Sequence, residues 1–441
     1  MTVGLVSLGC AKNAVDLQVM AGHLLKAGHA LAPNPDEADV ILINTCAFIE
    51  SAREEAAGEI LRACELKRAG SCRHVVVAGC FAQRYGKEVL KAFPEVDALV
   101  GIDALDKIAD VFARLKTVLP PGMPKKVFDP PMPALRFTGA AFAYLKIAEG
   151  CAHRCAYCAI PAIRGSYRSR PMASILAEAK ELLATGVKEL NVIAQDPMLY
   201  GVDLKVKKLK GEKVKDYSAG KRIGLVELLK ELDRLEGDFW IRVLYSYPSE
   251  ITDEFLDWMA HSPHAAKYVD VPLQHTDPRV LKAMARGTAV KASLAAADRI
   301  RAAVPGVTLR TTVMTGFPGE TPTAFATLLR DVKRMKFDHL GAFAFSPEEG
   351  TAAADMKGRP SRTVAERRER EVMAAQKRVW AAKAKSQVGK TFRALVVAPR
   401  VARLESQAPD VDGVVLLKRA RTVGSFTKVK ITAVRGFDFE A

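Results

Sequence analysis

Three cysteines crowd one stretch of the chain, Gly150-Cys151-Ala152-His153-Arg154-Cys155-Ala156-Tyr157-Cys158. Their spacing is C-x3-C-x2-C, just past an apolar run that reads as a strand. Three thiolates on one short loop can each take a corner iron of a four-iron four-sulfur (4Fe-4S) cubane, which leaves the fourth iron without a protein ligand and open to a substrate. The competing reading is a zinc knuckle. Zinc favours paired C-x2-C units with four ligands, and the nearest fourth cysteine, Cys80, is far away in sequence. His153 reads as solvated or as a neighbour of the ligand set.

Cys10, Cys46 and Cys80 repeat a different pattern. Each follows a short apolar run within two or three residues: Val3 to Leu8, Val40 to Ile43, and Val75 to Ala78. In a parallel α/β domain the ends of such strands share one edge, where ligands bind. Three thiols from three loops can converge there and hold a second cluster, again with one open iron. Gly9 and Gly79 would let backbone approach a bulky ligand. The plain alternative is three unrelated small residues at strand ends. Cys64 and Cys72 lack this placement and are expected to be bystanders.

These motifs need elements to position them, and the chain supplies two βα series. With 441 residues, two or three domains are expected. Strand and helix patterns alternate through the first segment in a βαβαβ rhythm, hence a parallel sheet in a domain over 1–130. Proline clusters at 120–124 and 130–133 read as a linker. A longer series follows over 137–386. Candidate strands are Tyr144–Ala148, Glu189–Ala194, Trp240–Leu244, Tyr268–Val271, Thr308–Met314 and His339–Phe345, an incomplete (β/α)6 barrel with its chemistry at the C-terminal strand ends. Arg359 to Lys385 reads as a long basic helix. Short runs at Phe392–Val397, Gly413–Leu417 and Phe426–Val434 predict a small all-β barrel over 388–441. A Lys-rich stretch at 203–222 reads as a surface loop or hairpin. The fold class is α/β overall.

Composition bounds the setting. Lys and Arg total 66 against 50 Asp and Glu, a net charge of +16, which fits a polyanionic partner such as RNA or a ribosome as well as a solvated surface. No apolar run reaches the roughly 20 residues of a membrane span. The N-terminus lacks the features of an export signal, so a reducing cytoplasm is expected, with thiols or metal ligands in preference to disulfides.

Several longer words carry a family resemblance. They are Ser7-Leu8-Gly9-Cys10-Ala11-Lys12-Asn13, Ile43-Asn44-Thr45-Cys46-Ala47-Phe48-Ile49-Glu50, Arg164-Gly165-Ser166-Tyr167-Arg168-Ser169-Arg170-Pro171, Pro272-Leu273-Gln274-His275, Gly316-Phe317-Pro318-Gly319-Glu320, Ser346-Pro347-Glu348-Glu349-Gly350-Thr351 and Ala408-Pro409-Asp410-Val411-Asp412-Gly413. Over nearly its whole length the chain resembles the methylthiotransferases. These are radical S-adenosylmethionine (SAM) enzymes with an N-terminal cluster domain, a central radical SAM barrel and a C-terminal TRAM domain. Ala11-Lys12-Asn13 after Cys10 is similar to the branch that modifies an aspartate β-carbon of ribosomal protein S-twelve. The tRNA branch usually has Gln-x-Asn there.

The resemblance implies two 4Fe-4S clusters, on Cys10, Cys46 and Cys80 and on Cys151, Cys155 and Cys158. It implies SAM in two roles, one molecule methylating a sulfur species and another cleaved to an adenosyl radical. Tyr157 corresponds to the aromatic that lies near the adenine. Gln195, Asp196, Gly316 and Glu320 are further candidate SAM contacts, and no catalytic acid or base is assigned. Arg164, Arg168 and Arg170 could hold carboxylates of SAM or form structural ion pairs. The implied partners are ribosomal protein S-twelve or the small ribosomal subunit, RNA through the TRAM-like domain, and an external electron donor; no membrane is implied. Two departures stand out. Pro197-Met198 replaces the usual threonines after Asp196, and the Lys-rich stretch is longer than usual. The rival functions are a tRNA adenosine methylthiotransferase and a non-catalytic iron–sulfur or zinc protein that binds RNA.

Overall fold

A computed structural model describes residues 1–120, 122–127, 139, 141–204, 223–287 and 290–441. The Lys-rich stretch lies outside the described residues from 205 to 222, as do 121 and 128–138 of the proline-rich segment. The described residues form two compact units. One combines those of Met1–Phe137 with Ala148–Ser174 and Glu348–Ala354; the other combines those of Thr138–Ile147 with Ile175–Pro347 and Asp355–Ala441. The cysteine loop therefore belongs with the N-terminal sheet, a grouping by contact that sequence order does not convey.

The first unit is built on strands β1 (Thr2–Ser7), β2 (Ala30–Leu31), β3 (Val40–Thr45), β4 (His74–Gly79) and β5 (Ala98–Val100), all parallel, in the order β2-β1-β3-β4-β5. The continuous apolar runs of β3 and β4 suit strands covered on both faces. Val40, Leu42, Val76 and Ala78 pack under helix Ala11–Lys26 and the Ile102–Arg114 segment. Their alternates Ile41, Ile43, Val75 and Val77 pack under helix Glu50–Arg68. Cys64 and Cys72 are buried in that second cluster, where burial raises both thiols, Cys64 to about 11. They are core residues.

The second unit holds six parallel strands, β6 (Phe142–Lys146), β7 (Glu189–Ile193), β8 (Trp240–Val243), β9 (Tyr268–Asp270), β10 (Thr308–Thr315) and β11 (His339–Ala344). They pair as β6-β7-β8 and β9-β10-β11. Backbone bonds from Ile241 to His264, Ala266 to Ile241 and Ser246 to Asp270 join the two halves into an incomplete barrel. β6 ends sooner than its apolar run suggests. The chain turns after Ile147, and Ala148–Glu149 pairs antiparallel with Arg168–Ser169.

The terminal residues form β12 (Thr391–Ala398), β13 (Val401–Leu404), β14 (Val415–Leu416), β15 (Phe426–Lys430), β16 (Ala433–Arg435) and β17 (Asp438–Glu440), ordered β15-β12-β13-β14-β17-β16. Trp380 and Ala384 of helix Arg362–Lys385 complete their core. This module docks on the N-terminal ends of the barrel strands. Glu189, at the start of β7, accepts from Arg242 at 2.7 Å and is paired by Arg403 of β13, all three side chains being nearly inaccessible. The Tyr268 hydroxyl donates to Asp412 at 2.6 Å, and the Tyr144 hydroxyl to Asp410 at 2.6 Å.

Candidate functional site

Cys10, Cys46 and Cys80 leave the ends of three adjacent strands, β1, β3 and β4. The register pairs Ser7 with Asn44, Asn44 with Ala78 and Thr45 with Gly79, so Cys46 and Cys80 exit level with each other. Cys10 caps helix Ala11–Lys26, and Cys80 begins helix Cys80–Tyr85. Gly9 and Gly79 serve the cysteines more directly than they serve a ligand. At φ +94° Gly9 lies so close to the next loop that a Cβ there would sit 2.7 Å from the Cys46 Cβ. At Gly79 it would meet Asn44 Oδ1 at 2.4 Å. Gly9→Ala is expected to push the Cys46 loop away and to cut the iron held at these thiols. Gly28→Ala, also at positive φ but facing open space, should keep it. Iron content after anaerobic reconstitution separates the collision from simple backbone strain.

Asn13 and Arg164 tie the three ends together. Asn13 Nδ2 donates to the Leu8 carbonyl at 3.1 Å and the Thr45 carbonyl at 2.9 Å, while Asn44 Nδ2 donates to the Asn13 carbonyl at 2.6 Å. Asn13 Oδ1 faces the sulfurs of Cys10 at 3.8 Å and Cys80 at 3.7 Å. Arg164 is 1% exposed. Its Nη2 donates to Asn13 Oδ1 at 2.7 Å, Asp16 Oδ2 at 2.8 Å and the Cys80 sulfur at 3.5 Å, and its Nη1 donates to Glu149 at 3.0 Å. Arg164 is thus a carboxylate holder in the structural sense, engaged by two buried acids of the protein. Arg168 instead grips the Lys126 and Arg164 carbonyls, and Arg170 the Ser174 hydroxyl.

Electrostatics differ among the thiols. Loss of hydration works against ionisation at each, although Cys10 is exposed while Cys46 and Cys80 are buried. At Cys10, Lys12 and Arg164 outweigh that loss and the thiol falls below its ordinary value. At Cys46 burial prevails and the value rises, and at Cys80 burial pushes it up to about 12 despite Arg164. Deprotonating Cys46 and Cys80 calls for a strongly cationic group beside them. An iron–sulfur cubane supplies one, and Arg164 offsets part of the anionic charge that the thiolates bring. The donor set therefore fits such a group. No three His, Cys, Asp or Glu side chains among the described residues gather as ligands of a single metal ion; cubane ligands bind separate corner irons.

The Cys151–Cys158 segment is an irregular loop with all three cysteines half-buried, and none of the eight cysteines forms a disulfide. The Cys151 amide donates to the Gly165 carbonyl at 3.3 Å, Cys158 to Cys155 at 3.0 Å, and Ala353 to Ala156 at 2.8 Å. Tyr157 is half-buried beside them. The short helix Ile160–Arg164 follows, and its Ile163, with Ala159, packs against Cys80, Ala47 and Ile102. A second clamp joins Glu348 to Arg53 and to Arg84 Nη1 at 3.1 Å, and Arg84 also donates to the Ala47 carbonyl at 2.8 Å. Asp16, Glu149 and Arg84 are not marked in the sequence, and Asn13 and Glu348 stand inside family words without a role attached. A polar residue on the buried face of an apolar helix, such as Asp16 one turn after Asn13, is the signal that was available.

The remaining candidates sit in the second unit, past the ends of β7 and β10. Asp196 caps the turn Pro197–Leu199 by accepting from the Met198 amide at 3.1 Å, and proline suits the first position of such a turn. That accounts for the departure at Pro197. Glu320 is buried, accepts from the Gly316 amide, pairs with Arg368 at 3.1 Å and lies 3.6 Å from His275. Gly316 is required by packing, since a Cβ would lie 2.2 Å from that of Ala365. Gln195 is partly buried at the end of β7.

Three family models cover most of this chain: "Uncharacterized protein family UPF0004" over residues 2–101, "Radical SAM superfamily" over 145–332 and "TRAM domain" over 388–441. A protein of Opitutus terrae named "Ribosomal protein uS12 methylthiotransferase RimO" is 41% identical across 100% of this chain and 96% of its own length. One of Elusimicrobium minutum with the same name is 42% identical across 98% and 97%. Among solved structures, the radical S-adenosylmethionine methyltransferase TsrM of Kitasatospora setae shares the fold with a TM-score of 0.57 at 16% identity, covering 80% of this chain and 74% of that one. The strand-end cysteines, the C-x3-C-x2-C loop and full-length identity above 40% place the chain in the RimO family of radical SAM methylthiotransferases.

Proposed function

We propose that this enzyme inserts a methylthio group at the β-carbon of an aspartate in ribosomal protein uS12, using one cluster on Cys151, Cys155 and Cys158 and a second on Cys10, Cys46 and Cys80. The observation that carries the reading is the pairing of two three-cysteine sets in one compact unit, joined by Arg164. A cluster held by Cys151, Cys155 and Cys158 would supply the electron for reductive SAM cleavage, and one held by Cys10, Cys46 and Cys80 would supply the sulfur for insertion. The chain's own residues do the holding. The strand-end geometry and Asn13 fix the sulfurs of Cys10 and Cys80, and the Glu348–Arg84 pair fixes the loop after Cys46. Tyr157 is assigned to the SAM adenine by its place in the cysteine loop, and Gln195, Asp196, Gly316 and Glu320 are proposed as further SAM contacts. Placing radical and sulfur source in one unit keeps the reacting carbon from meeting solvent first. The terminal β module serves the ribosomal substrate or neighbouring RNA, an external donor supplies electrons, and the reaction belongs in the cytoplasm.

The test is anaerobic incubation of the reconstituted enzyme with SAM, a low-potential reductant, sulfide and either uS12 or tRNA. Mass spectrometry should find one aspartate of uS12 carrying a methylthio group in place of a hydrogen. Modification of a tRNA adenosine with uS12 untouched would overturn the substrate assignment.

A further inference from the structure

Arg164 is a fully buried cation that neither cluster loop requires as a ligand. Its position is unusual in two ways. It lies six residues past Cys158, at the end of the short helix that leaves the first cysteine loop, yet its side chain ends among the residues of the other cysteine set. One guanidinium there meets Asp16, Glu149, Asn13 Oδ1 and the Cys80 sulfur at 2.7–3.5 Å. Two carboxylates already exceed its single charge. Adding thiolates makes the pocket more anionic still, and the guanidinium is the cation that bonds directly to the Cys80 sulfur. Hydrogen bonds to cluster sulfurs and the net charge around them set the reduction potential of an iron–sulfur centre, and groups that orient metal ligands typically account for 10- to 100-fold in metal affinity.

We propose that Arg164 is a positioning residue for the cluster on Cys10, Cys46 and Cys80: its guanidinium donates to the Cys80 thiolate, holds that cluster's potential up, and fastens the segment after Cys158 to the strand-end thiols. This rests on the two-cluster reading above. It adds that the second centre is tuned by a residue delivered from the first centre's loop. The bond to sulfur depends on the planar fork. A lysine keeps the charge but cannot reach two carboxylates, the Asn13 amide and the sulfur together.

The experiment uses the full chain carrying C151A, C155A and C158A, so that only the second site can load, with iron analysis and a potentiometric EPR titration of the reduced cluster. The parent should hold one cubane; if it holds none, the two-cluster reading fails and the inference with it. In R164Q/E149Q, which keeps the net charge but removes the bond to the Cys80 sulfur, iron affinity should drop about 10- to 100-fold, and the loss of that hydrogen bond should lower the potential of whatever loads. R164K, the milder change, should restore loading in part, with a potential between the two. A loaded parent together with unchanged affinity and potential in R164K and R164Q/E149Q would overturn the role of Arg164 while leaving the two-cluster reading intact. Should R164Q/E149Q not fold, R164K alone decides, because a purely structural ion pair predicts an unchanged potential there.

Discussion

Replacing Cys10 with alanine is expected to leave reductive SAM cleavage running and to bring methylthio transfer to uS12 down to background. Cys10 belongs to the strand-end set, three residues past Ser7 of β1, and the Cys151–Cys158 loop makes its own backbone contacts with Gly165 and Ala353. Loss of one thiol should therefore remove the second cluster without dismantling the first. The matching change on the other loop, Cys158→Ala, should abolish both outputs, because no radical is made. Quantifying 5′-deoxyadenosine and modified uS12 in the same reaction reads both. Equal loss of the two products in Cys10→Ala would refute the division of labour between the cysteine sets.

Glu189→Ala should destabilise the second unit by about 3–5 kcal/mol, the usual cost of stripping one partner from a buried ion pair. Here the loss leaves Arg242 and Arg403 both charged and both buried, one on the barrel and one on the terminal β module. Burial raises the Glu189 carboxyl, but the two guanidiniums outweigh it and hold it below the ordinary carboxylate value. The sign of the pH effect follows. A depressed pKa contributes stability above the unfolded carboxylate value and loses it as pH falls through the folded one. Wild-type protein should therefore lose stability on acidification, and Glu189→Gln should be less stable at neutral pH with a flatter acid limb. Urea denaturation across acidic and neutral pH measures both. A loss below about 1 kcal/mol in Glu189→Ala, the scale of a surface pair, would show that the terminal module is held by other contacts.

The cysteine spacing and the βα rhythm were legible in the sequence because both are local. Apolar runs such as Val75-Val76-Val77 announce buried strands, and the residues after them fall at one sheet edge whatever the helices do. The basic helix expected over Arg359–Lys385 forms over Arg362–Lys385. Strands at Ala98–Val100, Val401–Leu404 and Asp438–Glu440 went unread. They are short and take their meaning from partners distant in sequence, and Phe426–Val434 proved to be two strands rather than one. The site shows the same limit. Arg164 and Asp16 are 148 residues apart, and Arg53 and Glu348 are 295 apart. No spacing rule connects such pairs. Gly9 and Gly79 were recognisable as special, but the neighbour that needs the room is another cysteine loop, which only the register of β1, β3 and β4 reveals.

Cluster stoichiometry tests the central claim most directly. Full-length protein reconstituted without oxygen, assayed for iron and acid-labile sulfide and examined by Mössbauer spectroscopy, should hold two cubanes. The C10A/C46A/C80A and C151A/C155A/C158A triple variants should each retain one. A single cubane in the wild-type chain, or loss of both clusters from either triple variant, would contradict the account.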